Sequence, residues 1–329
     1  ADRNFQANQS ILNGYAWYDP MYNCDQYAYK VVTMGDETVL DGFVVNEATQ
    51  YNIYCASAGF DFTIANCVIT DSGQWGIYCQ NCNANVSWCT IKNNGTYGIN
   101  HLGSEYLLTI NNCKIYDNEY DGMYSFLSIP TILNSVIHHN GSADVGYYGI
   151  KLYQPSDTPD IRNNTIAYNS NEGVFFTGEN APEITNCILW GNNENGGGFQ
   201  FNEGCSVTYS CFHDPNDPNN YDSDPDANYN IHAEPNFVSV ENCNYHLAYD
   251  SPCKDRGDSN LVIPGELDMD SEYRIDDTIE IVDMGADEVH CEEVSHPLDW
   301  DASGIIDTME LMKFSAAWLS IDPNYADPN

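Results

Sequence analysis

Residues 299–310 read Asp-Trp-Asp-Ala-Ser-Gly-Ile-Ile-Asp-Thr-Met-Glu. Oxygen donors recur through this stretch at Asp299, Asp301, Ser303, Asp307 and Glu310, with the Ile305 carbonyl between them and Gly304 at the sharp bend. Hard oxygens at that spacing wrap Ca2+, and the last glutamate closes the loop through both carboxylate oxygens. Met309, Met312, Phe314, Ala317 and Trp318 follow at helical spacing, so a short amphipathic helix is expected to flank the loop. Calcium is the one cofactor these residues imply.

Other chemistry is harder to place. A lyase acting on uronates needs a Lys or Arg base beside a cation, and Lys151 and Arg162 are the candidates. No acidic cluster shares their expected faces. A hydrolase needs carboxylates converging on one face, and no paired-aspartate motif is present. In "IHHNG" (137–141) His138 and His139 should point to opposite faces of a strand. No His/Cys group has zinc spacing, so no catalytic residue is assigned.

The elements that must carry these residues come from a repeat. The segments "TIANCVI" (63–69), "NVSWCTI" (85–91), "TINNCKI" (109–115), "TILNSVI" (131–137), "DIRNNTI" (160–166) and "EITNCIL" (183–189) share one pattern. Aligned on Cys67, Cys89, Cys113, Ser135, Asn164 and Cys187, the steps are 22, 24, 22, 29 and 23 residues. Each unit has a second short run opening with glycine, as in "GIYCQN" (76–81) and "GMYSFL" (122–127). Period-two alternation between turn residues argues for strands. Short strands at this spacing with no helix between them stack as coils of a parallel β-helix. The fold class is therefore all-β, a parallel β-helix (solenoid) with a C-terminal calcium-loop and helix appendage.

Stacking puts like residues above like. Ile53, Ile77, Ile99, Met123, Ile150, Val174 and Phe199 should form an inward ladder, and Cys67, Cys89 and Cys113 another, with cysteine acting as a small hydrophobe. Asn66, Asn112, Asn134, Asn163 and Asn186 should stack at a turn, each amide bonding the next. The outward ladder reads Tyr54, Tyr78, Asn100, Tyr124, Lys151, Phe175 and Gln200. Its rings, Tyr54, Tyr78, Tyr124 and Phe175, make a strip that suits a protein contact, an intramolecular cover or a glycan platform. Lys92 and Lys114, 22 residues apart, should occupy equivalent positions. Cys243 with Cys253, Cys205 with Cys211, and Cys79 with Cys82 are close enough in sequence to pair in an oxidising compartment. Asn-x-Ser/Thr sites stand at Asn8, Asn85, Asn94, Asn140 and Asn163.

This pattern resembles the right-handed parallel β-helix repeats of the pectate-lyase-like superfamily, especially its bacterial secreted and surface members, and the resemblance implies a right-handed parallel β-helix here. Residues 2–14 and 29–45 look like opening coils, 234–259 like a closing segment, and "VDMGADE" (282–288) like a final strand. In that group more chain usually precedes the segment matching 2–14, so the first coil's edge is expected to be uncovered. The tail resembles half of a dockerin-type, EF-hand-like module, with one loop where dockerins carry two. The division that follows is a β-helix over 1–290, with an acidic loop at 213–233 and a closing segment at 234–290, and a half-module over 291–329.

The chain has 329 residues and a formal charge of −39. That balance excludes nucleic acid and anionic membrane as partners, and no apolar run is long enough to span a bilayer. Scarce lysine and a calcium loop suited to extracellular calcium place the protein outside the cell or on its surface, with any signal peptide already removed. The expected function is a non-catalytic structural or adhesive β-helix, a homo-oligomer or polymer that calcium stabilises as a filament, layer or matrix. The alternatives are a secreted polysaccharide-active enzyme and a glycan-binding adhesin, for which the partner is extracellular polysaccharide.

Overall fold

The structure, a computed structural model, describes residues 10–19, 24–141, 146–193, 200–213, 224–275 and 281–289. Residues 1–288 form one compact unit and 289–329 another. The expected calcium ligands Asp299, Asp301, Ser303, Ile305, Asp307 and Glu310 lie outside the described residues.

Three parallel sheets make the solenoid. Sheet I has seven strands: Lys30–Thr33, Tyr51–Cys55, Trp75–Gln80, Ile99–Leu102, Met123–Phe126, Ile150–Tyr153 and Val174–Thr177. Sheet II has eight, from Thr38–Asp41 to Ser206–Thr208, and sheet III has nine, from Ser10–Asn13 to Cys211–Phe212. Each coil passes through the three sheets in turn, so neighbouring coils hydrogen-bond in parallel, with strand spacing of about 4.8 Å.

The inward ladder on sheet I is in register from Ile53 through Ile77, Ile99, Met123 and Ile150 to Val174, and all six are fully buried. At the next coil Val174 bridges Phe201. Phe199, expected there, lies outside the described residues, and the variable coil length accounts for the slip. Each fully buried Ile stabilises the fold by about 1.5–3 kcal/mol. Cys67, Cys89, Cys113 and Cys187 are buried in the core, as small hydrophobes should be. Their thiols approach the carbonyl two residues back, at 3.1–3.4 Å. Ser135 and Ser210 make the same contact with hydroxyls at 2.7 and 2.8 Å, which explains why serine and cysteine alternate in this column. The pairs expected among Cys243, Cys253, Cys205, Cys211, Cys79 and Cys82 are not formed: all six are free thiols.

A single left-handed residue turns the chain from sheet II to sheet III. Asn66, Asn112, Asn134, Asn163 and Asn186 all hold φ between 51° and 56°, a conformation asparagine tolerates better than most residues. Their amides do not run as one ladder. Asn186 donates to Asn163 Oδ1 at 3.1 Å. Asn112 instead donates to the Leu267 and Asp268 carbonyls, and Asn134 and Asn163 both donate to Glu266 Oε1. The turn column is thus the dock for the closing segment.

The continuous amide ladder lies inside, one turn further on. Asn94, Asn118, Asn140, Asn169 and Asn192 are buried, and each amide donates to the next side-chain oxygen at 2.9–3.1 Å, ending on Gln200 at 2.8 Å. The same oxygens accept the backbone N–H of the coil before. Gln200 is therefore buried rather than outward. This ladder explains the glycine that opens each sheet I run. A Cβ on Gly122 would lie 2.7 Å from Asn140 Nδ2 and 2.8 Å from the Gly149 carbonyl. Burial also removes Asn94, Asn140 and Asn163 as glycan acceptors in the folded chain.

Other departures have local causes. Lys92 pairs with Tyr116 and Lys114 with Thr90, because the step between these coils is 24 residues rather than 22. Within the expected acidic loop, Ile231 bridges Cys211 and is fully buried, so the chain returns to the stack there. The closing segment is an antiparallel pair, Phe237–Ser239 with Asn244–Leu247. Residues 282–288, expected as a final strand, form no strand. They wrap the fully buried Arg274, which donates through Nε to Asn134 at 2.9 Å, to the Gly285 carbonyl, and faces Glu288 at 3.4 Å.

Candidate functional site

Sheet I presents its outward side chains in register: Tyr54, Tyr78, Asn100, Tyr124, Lys151 and Phe175. All but Asn100, which is buried, are half-buried. A second column stands just before the opening glycines: Trp75, Tyr97, Asp121, Tyr148 and Glu172. Together the columns cover the face with rings. Tyr54 and Tyr78 stack at 5.6 Å and 6°, and Tyr51 stacks on Trp75 at 4.9 Å and 10°. Lys30 Nζ lies 3.1 Å from the Tyr54 ring centroid and closes this block. Further along, Tyr120 stacks on Tyr147 at 4.1 Å and Tyr148 on Phe175 at 4.5 Å. Lys151 Nζ stands 5.0 Å from the Tyr148 ring and 6.0 Å from the Tyr124 ring, within cation–π range.

Asp121 sits in the second column between Tyr97 and Tyr148 and is fully buried. Its Oδ1 accepts the Tyr148 N–H at 2.7 Å, while Oδ2 has no hydrogen-bond partner. Burial raises this carboxyl to about 6, against the Tyr148 N–H and the positive charge of Lys151, which favour the anion. Glu172, two coils on, is also raised by burial, and its Oε2 is likewise unpartnered. The Asn100 Oδ1 and the Trp75 Nε1 complete a set of unsatisfied polar atoms under or beside the rings. Burial raises Tyr97 to about 12, with Asp121 adding to the effect. Buried polar atoms without partners are costly, so their concentration on one face singles out sheet I as the candidate site.

The sequence reading placed the strip residues Tyr54, Tyr78, Tyr124 and Phe175, and the structure brings them onto one face. It passed over Asp121 and Glu172. The signal was a column that reads ring, ring, carboxylate, ring, carboxylate ahead of the glycines. The lyase candidates do not converge. Lys151 is on sheet I, whereas Arg162 is on sheet II, where Nε binds both Asp160 oxygens at 2.9 and 3.0 Å and Nη1 donates to the Leu261 carbonyl at 2.6 Å. Arg162 anchors the closing segment. His138 and His139 do not point apart: their Nδ1 atoms are 2.9 Å from each other, because His139 adopts φ 50° and turns the chain. Cys243 completes a His/Cys group with them, which sequence spacing did not reveal.

A groove of about 500 Å3 opens elsewhere, on sheet II, between Thr38, Thr63, Asn85 and Thr109. Of its two acidic lining residues, Glu37 and Asp61, the latter is already engaged, since Asp61 Oδ1 accepts from Asn83 at 2.6 Å. The lining holds no unsatisfied buried polar atom among the described residues. Sheet I, with its rings and unpartnered oxygens, is the better candidate.

Among the described residues no helix is long and apolar enough to cross a membrane. No curated protein matches the chain. One solved structure with similarity, titled "Crystal structure of pectate lyase Pel9A", has a TM-score of 0.48 and 14% identity, and the match covers 77% of this chain. The chain spans 65% of that structure's length. The family model described as "Right handed beta helix region" matches residues 30–154 and 131–251, most of the solenoid. With three parallel sheets wound coil upon coil and that match over more than half its length, the chain belongs to the right-handed β-helix family.

Proposed function

We propose that this protein is a polysaccharide-binding β-helix of the adhesive kind, and that sheet I is its binding face. The observation that carries the reading is the ring-covered face of Tyr54, Tyr78, Tyr124 and Phe175 with unpartnered buried oxygens between the rings. Aromatic faces pack against the C–H faces of pyranose rings, and polar atoms among them take the hydroxyls. In-register coils repeat this every 4.8 Å or so, which suits an extended chain of sugars rather than a single one. The net charge of −39 repels polyanions, so the preferred ligand is a neutral polysaccharide. The extracellular setting, calcium at Asp299–Glu310 and self-association belong to the same proposal. They rest on the sequence.

The test is binding of neutral β-glucans, xylans and polygalacturonate by affinity electrophoresis and a glycan array. Binding to a neutral polymer should weaken at least about tenfold in Tyr78→Ala and in Tyr124→Ala, about 1.4 kcal/mol each. Unchanged binding in both variants, or binding to polygalacturonate alone, refutes the reading.

One observation favours turnover as a second reading. Asp121 and Glu172 are two coils apart, about 9.6 Å along the stack. That is a backbone spacing just beyond the about 6.5–9.5 Å that separates the carboxyl groups of inverting glycoside hydrolases, one acting as acid and one as base, so the two side chains would have to lean toward each other. New reducing ends released by the wild type and absent in Asp121→Asn and Glu172→Gln would establish it. No release from any bound polymer removes it.

A further inference from the structure

The closing segment brings together three side chains from distant points of the chain. His246 stands on the strand Asn244–Leu247, Asp270 in the turn between Leu267 and Tyr273, which bridge each other, and Asp287 beside the buried end of the unit. His246 Nδ1 lies 2.9 Å from Asp287 Oδ1 and 3.0 Å from Asp270 Oδ2. The three donor atoms all fall within 4.8 Å of one another. We infer that these residues form a binding site for a divalent first-row transition-metal ion that ties three stretches of the closing segment to one another.

The geometry argues for a cation in two ways. A ring nitrogen carries at most one proton and directs it along one line, so it cannot serve two carboxylates equally well. An ion about 2.1 Å from each donor would set neighbouring donors about 3.0 Å apart in octahedral and about 3.4 Å apart in tetrahedral coordination, and His246 Nδ1 stands 2.9 and 3.0 Å from its two carboxylate oxygens. The donor set selects among metals. One imidazole with two carboxylates suits Zn2+ or Co2+ better than Ca2+, which takes oxygen alone.

The surroundings hold each donor in place, as metal ligands require. Asp287 is nearly buried, and its other oxygen accepts the Leu247 N–H at 2.7 Å. The Asp270 N–H donates to Asp268 Oδ1 at 2.9 Å, which fixes the turn. Met269 N–H donates to the Ala286 carbonyl at 3.0 Å and so sets Asp270 beside Asp287. The His246 and Asp270 side chains are about one-third exposed, at 35% and 39%, which leaves an open side for water to complete the coordination.

The test uses the full chain, stripped with chelator and reduced, in millimolar Ca2+ so that any oxygen-only site is filled. Co2+ is titrated and its visible bands are read, since thiolate ligation to the many cysteines would announce itself by a separate charge-transfer band. The wild type should take up one Co2+ without a thiolate band and melt at a higher temperature when loaded. Asp270→Asn and His246→Gln should each weaken that uptake at least tenfold and lose the melting shift. Asp270 is partly exposed, so its amide variant should fold, and circular dichroism of the metal-free protein checks this. The inference is overturned if the wild type takes up no Co2+ below millimolar, if uptake carries a thiolate band, or if both variants bind as the wild type does. In the last two cases the metal sits elsewhere, with the His138, His139 and Cys243 group the first place to look.

Discussion

Replacing Asp121 by asparagine should stabilise the protein, and only at higher pH. The amide keeps the oxygen that accepts the Tyr148 N–H at 2.7 Å and puts a neutral NH2 where Oδ2 has no partner. Burial raises this carboxyl from its ordinary 3.8 to about 6 in the fold. A group raised on folding contributes stability that is full below its unfolded value and lost as pH rises through its folded value. Between 3.8 and about 6 that loss amounts to about 3 kcal/mol. The wild type should therefore lose stability relative to Asp121→Asn across this interval. The two should be nearly equal near pH 3.5 and differ by up to about 3 kcal/mol, in favour of the variant, near pH 7.5. Urea titrations of both proteins at several pH values, followed by circular dichroism, measure the difference directly. Taking the difference also cancels His101 and His138, which act in the opposite sense. A gap that does not change with pH, or a variant less stable near pH 7.5, would refute the burial argument. It would also remove the reason for placing a ligand against Oδ2.

His101 is buried with Nε2 on the Cys82 carbonyl at 2.8 Å, and burial lowers it to about 4. Its contribution is present above its ordinary 6.5 and is lost as pH falls toward 4, so His101→Gln should flatten the acid limb of an unfolding-versus-pH curve. Gly122→Ala should cost about 1–3 kcal/mol by overpacking, because its Cβ meets Asn140 Nδ2 and the Gly149 carbonyl; a thermal melt checks it, and an unchanged midpoint contradicts it. Arg274→Ala leaves Glu288 buried without its cation and frees Asn134 and the Gly285 carbonyl. Such a cut typically costs about 3–5 kcal/mol, and limited proteolysis should then release the segment after about residue 234.

The solenoid was legible because its strands are short, its period short and its core residues interchangeable. Ile53 to Val174 needed only alternation and spacing to be placed. What failed was anything that depended on which of two asparagines in a coil faces inward. Both turns are asparagine-rich, and only the three-dimensional path shows that Asn94, Asn118 and Asn140 are interior while Asn112 and Asn134 grip the closing segment. His139 was misread because alternation assumes an extended chain, and a one-residue left-handed turn breaks it. Lys114 slipped because one coil is two residues longer. Asp121 and Glu172 were hidden for another reason: their column holds Trp75, Tyr97 and Tyr148 on neighbouring coils, so no local motif surrounds either carboxylate. The partners of Arg274 come from positions 11, 14 and 140 residues away, beyond the reach of local pattern.

A crystal structure of the full chain with a neutral oligosaccharide tests the central claim most directly. The account predicts sugar density along sheet I, over Tyr78, Tyr124 and Phe175, with hydroxyls at Asn100 or the carboxylates beside it. Density in the sheet II groove by Thr63 and Thr109, with sheet I bare, would contradict it.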